Sequence, residues 1–329
     1  MSEHESEQIS SPFHPGEIAI QESIGAADRM AAIGNKVIRD FMPDQHREFM
    51  AQLPFLLLGA VDRHGDAWAT LATGNPGFAV SPEPKLLDVR AKRDPDDPAD
   101  SGLEDGDSIG LLGIELHTRR RNRANGTLRR DGPDGFTLMV EHSFGNCPKY
   151  IRLRDFHFED TGKKEPSSAI WMEQLDERTR AMISAADTFF VASYADRDDG
   201  HRQVDVSHRG GKHGFVRIGD DGRLTIPDFT GNRFFNTLGN ILMNGKAGLL
   251  FLDFATGDLL QLSGDAEVEL KQDESEFFQG SERFWSFRPR RVVYRPGAIT
   301  LRWSAQENGE SPFSGMTGSW DQAEGASAG

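Results

Sequence analysis

The chain has 329 residues, and 52 Asp and Glu against 37 Lys and Arg give a formal net charge of -15. A field of that sign repels phosphate backbones and anionic headgroups, which argues against a general nucleic-acid or membrane-surface role. The length allows two domains with sizeable cores. With one cysteine there is no intramolecular disulfide, and the acidic opening MSEHESEQ does not resemble a signal peptide, so a cytoplasmic protein is expected.

In chain order, residues 1–15 read as a flexible polar lead-in. From 18 to about 52 the apolar residues Ala26, Met30, Ile33, Val37, Ile38 and Phe41 fall near helical spacing, and Pro43 stops the run. Strands are predicted at 55–61 and 67–72. The stretch 91–106 is acidic and rich in Pro, Gly and Asp, and reads as an exposed insertion. Strands return at 109–116 and 135–141. Residues 157–169 read as a linker, and a helix is predicted from Ser167 or Ser168 to about Ala186, with carboxylates in its N-terminal half. Further strands are predicted at 188–194, 203–208, 214–218, 224–226, 248–254 and 259–270. A last strand pair, 291–294 and 299–303, surrounds Pro296-Gly297, and 305–329 reads as a flexible tail. No apolar run approaches membrane-spanning length. Many short strands with turn signals between them predict a mainly β fold with flanking helices, built as barrels or sandwiches.

The chain also repeats itself. Residues 52–78 and 186–215 share an apolar strand, an Asp-Arg pair (Asp62-Arg63, Asp196-Arg197), a glycine turn, a second strand and a loop closing on Gly-Phe. RNRANGTL at 121–128 echoes GNRFFNTLGN at 231–240. Such duplication predicts two similar β domains, 16–156 and 167–304, with the insertion 91–106 in the first.

Four segments carry candidate chemistry. On the strand VDVSHRGG, Asp205, Ser207 and Arg209 share one face and Val204, Val206 and His208 the other. This makes a polar wall beside a glycine turn, or an ordinary solvated strand face. In FTGNRFFNTLGN, Asn232, Arg233, Asn236 and Thr237 offer donors where a loop enters a helix, a place that attracts anions; capping asparagines and core phenylalanines are the plainer reading. Arg119, Arg120, Arg121 and Arg123 put four arginines among five residues of an acidic chain. Aligned with Asn232-Arg233, they point to a phosphate site more than a solvated run usually does. Cys147 beside Lys149 is a candidate reactive thiol, or a small residue before a proline turn. His201, His208 and His213 match no metal-ligand spacing, and no metal site is expected.

The motifs DVSHRGG, IPDFTGNRFFNTLGN, GLLFLDFATGDLLQLSG, GNPGF, TRRRNRANG and SFGNCPKYI together resemble the pyridoxamine 5'-phosphate oxidase-related superfamily, in its two-barrel form, from about Pro54 to Trp303. The resemblance implies tandem split β-barrels of the FMN-binding type, with the flavin between barrels. Carried over by position, Asp205, Val206, Ser207, His208 and Arg209 match the binding strand, and Asp228 and Phe229 the end of the next. Asn236 and Thr237 fall where the family often has a basic pair on the phosphate, with Arg233, Arg121 and Arg123 as substitutes. Asn232 lies in the same loop, and Gln261 is a candidate contact to the ring edge. The ending RFWSFRPRRVVYRPGAITLRW does not match the family's substrate motif, so vitamin B6 oxidation is not implied.

The resulting expectation is an FMN-binding oxidoreductase of unknown substrate. Its electron donor or substrate would be a small molecule, NAD(P)H among the candidates, and it would work as a homodimer. His208 and Cys147 are the candidates for acid–base or nucleophilic work. A non-catalytic flavin-binding or interaction module, or a split barrel holding haem or a deazaflavin, are the alternatives.

Overall fold

In the computed structural model the described residues are 11–130, 132–159, 168–270, 278–321 and 323. Three helices lead in: α1 (Pro15–Ser23), α2 (Ala27–Val37) and α3 (Asp44–Ala51). Pro15 opens α1 with its φ preset, and His14 and Glu17 close a capping box, Glu17 accepting from the His14 amide at 2.9 Å.

The first sheet comprises β1 (Phe55–Val61), β2 (Ala67–Thr73), β3 (Ala79–Val80), β4 (Leu86–Val89), β5 (Ser108–Glu115), β6 (Arg120–Arg129) and β7 (Phe136–Gly145). Then come β8 (Arg154–Phe158), β9 (Ile170–Met172) and α4 (Glu177–Ala185). The second sheet comprises β10 (Thr188–Asp196), β11 (Arg202–Gly210), β12 (Arg217–Ile218), β13 (Leu224–Phe229), β14 (Lys246–Leu252), β15 (Leu259–Glu269) and β16 (Ser281–Arg295), with α5 (Asn236–Asn244) between β13 and β14. A short β17 (Leu301–Ala305) pairs with β8.

The strand orders are β2-β1-β5-β6-β7-β4-β3 and β11-β10-β14-β15-β16-β13-β12, the same path walked twice. Even the irregularities repeat: β6 bulges at Asn125/Gly126 and β15 at Ser263/Gly264. The chain is mainly β, a tandem of split β-barrels with few helices. Between the halves lies a shared apolar layer in which Leu57, Ala69 and Leu112 meet Phe190, Val206 and Leu250. Two glycines let the sheets touch backbone to backbone. A side chain at Gly110 would strike the Asp205 main chain, and one at Gly248 the main chain of Ala67 and Trp68.

Several expectations are corrected. RNRANGTL is strand β6, whose counterpart is β15; the loop and helix 231–240 correspond instead to the β4–β5 connection. The acidic stretch 91–106 occupies that connection, so it takes the place of α5 rather than being added beside it. The helix expected from Ser168 begins only at Glu177, capped by Asp176 through the Thr179 amide at 2.8 Å, because β9 adds to β16 first. Residues 291–294 belong to the long β16, and 299–303 leads into β17, which pairs with β8 rather than with β16.

Neither described end is loose. Phe13 and His14 are buried, as are Thr317 and Trp320. Trp320 packs on Phe278 and Phe284 with ring centroids 4.8 and 5.4 Å away, and its indole N–H donates to the Phe215 carbonyl. Residues 1–10, most of the expected linker (160–167) and the last part of the tail (324–329) lie outside the described residues.

Candidate functional site

A groove opens where β6 of the first half faces β11, the end of β13 and the start of α5 in the second. Arg121 and Arg123 line it from β6, Asn146 and Cys147 follow from the end of β7, and Ser207, His208 and Arg209 come from β11. Asp228 and Phe229 end β13, and the loop beyond supplies Asn232, Arg233, Phe235, Asn236 and Thr237. The groove is open to solvent and its cavity measures about 90 Å³. In that loop Arg233 (φ 64) and Phe235 (φ 61) hold the left-handed conformation without being glycine. Strain of this kind gathers where a loop is held to a set shape for a ligand.

Beneath the groove Asp205 joins the halves. Its carboxylate accepts from Arg123 and from the Asn125 amide (2.7 Å) of the first half, and from Asn240 (2.9 Å) of the second. Burial alone would raise this carboxyl; Arg123 with the amides of Asn240, Asn125 and Gln203 more than offsets that and holds it below the usual range. Arg123 also donates to the Val206 carbonyl (3.0 Å) and the Ser207 hydroxyl (2.6 Å). Asn240 accepts from the His14 ring at 2.8 Å, which ties α1 to α5.

The charges do not cancel. Arg123 is matched by Asp205, while Arg209 (2.9 Å) and Arg283 (2.6 Å) share the carboxylate of Asp228, and Arg283 also meets Glu282 at 3.3 Å, which leaves Arg121 and Arg233 as the cations of the lining without a carboxylate partner among the described residues. Arg121 donates to the carbonyls of Cys147 (2.6 Å) and His208 (3.5 Å) and meets no carboxylate among the described residues. Burial, with Arg123 and Arg209 crowding it, pushes Arg121 down to about 10. His208 is held well below its ordinary value by burial and then by Arg121, Arg154 and Arg209, so its ring is neutral near pH 7. Five polar atoms on the lining are buried without a partner: Nε of Arg123 and Arg209, Nε2 of His208, Nδ2 of Asn146 and Oγ1 of Thr237. Unpaired buried donors around an excess of cations call for an anion with several acceptor oxygens, and a phosphate has that character.

Most sequence-predicted residues meet in this groove: Ser207, His208, Arg209, Asp228, Phe229, Asn232, Arg233, Asn236, Thr237, Arg121, Arg123 and Cys147. Three do not reach it as proposed. Asp205 is 1% exposed and works as the buried counter-ion of Arg123. Val206 belongs to the apolar layer and offers only its carbonyl. Gln261 lies between the halves on the other side, bonded to the Ala69 carbonyl at 3.1 Å and to Asp97 at 2.9 Å. Arg283 and Asn146 were missed. Asn146 sat beside the singled-out Cys147, but Arg283 comes from β16, and only the register of β16 on β13 places it opposite Asp228. Among the described residues no group of three or more His, Cys, Asp and Glu could hold a metal, and no helix is long and apolar enough to cross a membrane.

No family model and no curated protein matches the chain. Solved structures that are similar include HupZ of Group A Streptococcus, at 18% identity over 42% of this chain and 98% of that one, with a TM-score of 0.26. A protein related to general stress protein 26, of the pyridoxinephosphate oxidase family, from Clostridium acetobutylicum is similar at 15% identity over 39% and 92%, TM-score 0.24. An FAD-binding protein of Mesorhizobium loti is similar at 10% identity over 39% and 97%, TM-score 0.25. Each covers less than half of this chain.

Proposed function

We propose that the groove holds the phosphate of FMN and that the protein is an FMN-dependent oxidoreductase acting on a small molecule. The observation that carries this reading is the excess of cations around unpaired buried donors in an otherwise acidic protein. Arg121, Arg209 and Arg233 supply charge, and Thr237, Asn236 and Asn146 supply neutral donors. A cavity of about 90 Å³ suits a phosphate-sized group and not a whole flavin nucleotide, so the rest of the ligand would lie in the open beside it. Bound flavin would supply hydride chemistry. Ser207 and the neutral ring of His208 border the path from the phosphate end. His208 Nε2, neutral and unpaired, is able to exchange a hydrogen bond with a ligand, whereas a charged imidazolium could only donate. A nicotinamide such as NAD(P)H is the proposed donor, reaching the flavin from the open side.

The test is an absorption spectrum of freshly purified protein, before and after FMN addition, followed by NADPH or NADH under nitrogen. Flavin bands that bleach support the reading. Flavin that no nicotinamide reduces narrows it to binding. A protein that stays colourless with added FMN sinks it, and a Soret band would replace flavin by haem.

A further inference from the structure

The groove has a counterpart across the molecule, and the two are not alike. Reciprocal contacts show the relation. Arg123 on β6 donates to the Val206 carbonyl on β11, and Gln261 on β15 donates to the Ala69 carbonyl on β2. Arg123 and Gln261 each stand two residues before the matching bulges. Gly110 meets Asp205 just as Gly248 meets Ala67 and Trp68. Contacts that repeat with the partners exchanged are what an approximate two-fold axis requires. By the same correspondence Thr70 stands for Ser207, and the β4–β5 connection stands for the loop carrying Asn232 and Arg233.

In the first groove that loop leaves donors free. In the second the connection turns inward and brings carboxylates with it. Asp97 accepts from the Thr70 hydroxyl and, at 2.9 Å, from the Gln261 amide, and it pairs with Arg295 at 3.0 Å. Asp94 pairs with the same guanidinium. Arg295 is 5% exposed, and the amine that meets Asp97 also donates to Gln261 Oε1 at 3.2 Å. Arg93, bound to both Asp100 and Glu104, fastens the connection. Beside these groups a cavity of about 380 Å³ remains, whose lining includes Arg90, Lys92 and Arg130.

We infer that this second site between the halves is an anion site closed by the chain's own Asp94 and Asp97, which take up the donors of Arg295, Gln261 and Thr70 that a ligand phosphate would otherwise meet, so that the protein takes one phosphate-bearing ligand and not two. The inference rests on reading the first groove as a phosphate site. A carboxylate satisfies a guanidinium with the same paired acceptor geometry as a phosphate. Being tethered, it acts at an effective concentration of about millimolar or more, which free phosphate esters must exceed to displace it.

The experiment uses the full chain and the double variant Asp94→Asn, Asp97→Asn, with inorganic phosphate and FMN as probes. In thermal unfolding, phosphate raises the midpoint of the double variant more than that of the wild type, by an apparent affinity gain of about tenfold or more. Adding Arg295→Ala abolishes that gain. At saturation the wild type holds one FMN per chain, and the double variant binds inorganic phosphate at a second site besides. Equal phosphate shifts in wild type and variant, or two FMN on the wild type, would overturn the inference. If the wild type takes no FMN while the phosphate gain appears, the flavin reading fails and the self-closed anion site stands. Should the double variant not fold, the single Asp94→Asn, at a half-exposed position, is read in the same way with a smaller gain.

Discussion

Replacing Asp205 by alanine removes the acceptor on which both halves converge. Arg123, 2% exposed, would keep its charge without a counter-ion, the Asn125 amide would lose its acceptor, and the Asn240 amide would lose one of its two, keeping Ser193 at 3.1 Å. Removing one partner of a buried ion pair costs about 3–5 kcal/mol. Each stranded donor adds about 1–3 kcal/mol in isolation, though less inside one shared network. The expected loss is therefore about 4 kcal/mol or more. Urea denaturation read by tryptophan fluorescence measures it, since Trp68 and Trp285 lie fully buried in different halves. The paired variant Arg123→Met, Asp205→Leu strands no charge and should cost markedly less than Asp205→Ala. A loss below about 1 kcal/mol for Asp205→Ala would refute the claim that this pair locks the halves. It would revive the sequence-level reading of Asp205 as a ligand contact, in which binding falls while stability holds.

Two further outcomes follow from the helical lead-in and the C-terminal segment. Burial, and then the charge of Asp205, push Glu17 up to about 8. The folded chain thus keeps a proton that the unfolded chain releases above its ordinary value of 4.5. Stability from this group is full below that value and drains as pH rises toward 8, with a slope approaching about 1.4 kcal/mol per pH unit within the window. Glu17→Gln should flatten the fall in melting temperature between these limits, and an unchanged pH profile would remove the proposed protonation. Trp320→Ala should cost about 3–5 kcal/mol, the range for emptying a buried indole site, and expose the Phe278–Phe284 surface to a hydrophobic dye. A neutral result would return this segment to the flexible tail expected from its composition.

What could be read from the sequence, and what could not, separates along physical lines. Apolar runs such as Phe55–Val61 announced their strands, because every position of β1 is buried. The strand β6 stayed hidden because RRNRANG carries no apolar alternation; its inward residues, Arg123 and Asn125, are polar by function, being spent on Asp205 across the interface. Most of the groove was legible, since its residues sit in short contiguous motifs. Gln261 falls outside the groove for an instructive reason. It holds the position in the second half that Arg123 holds in the first, so it faces the counterpart site. Local sequence could not show which side of the axis a repeated position serves. The pairing of β17 with β8 depends on contacts far apart in the chain, beyond the reach of any window.

The central claim is that the groove grips a phosphate, and comparing FMN with riboflavin tests it most directly. Fluorescence titration of the full chain with each ligand, and of Arg121→Ala with each, isolates the phosphate from the ring. A charge-assisted bond contributes about 1.5–3 kcal/mol. FMN should therefore bind the wild type at least about tenfold tighter than riboflavin, and Arg121→Ala should erase most of that ratio while leaving riboflavin affinity unchanged. Equal affinities for FMN and riboflavin in the wild type, or a ratio untouched by Arg121→Ala, would contradict the account.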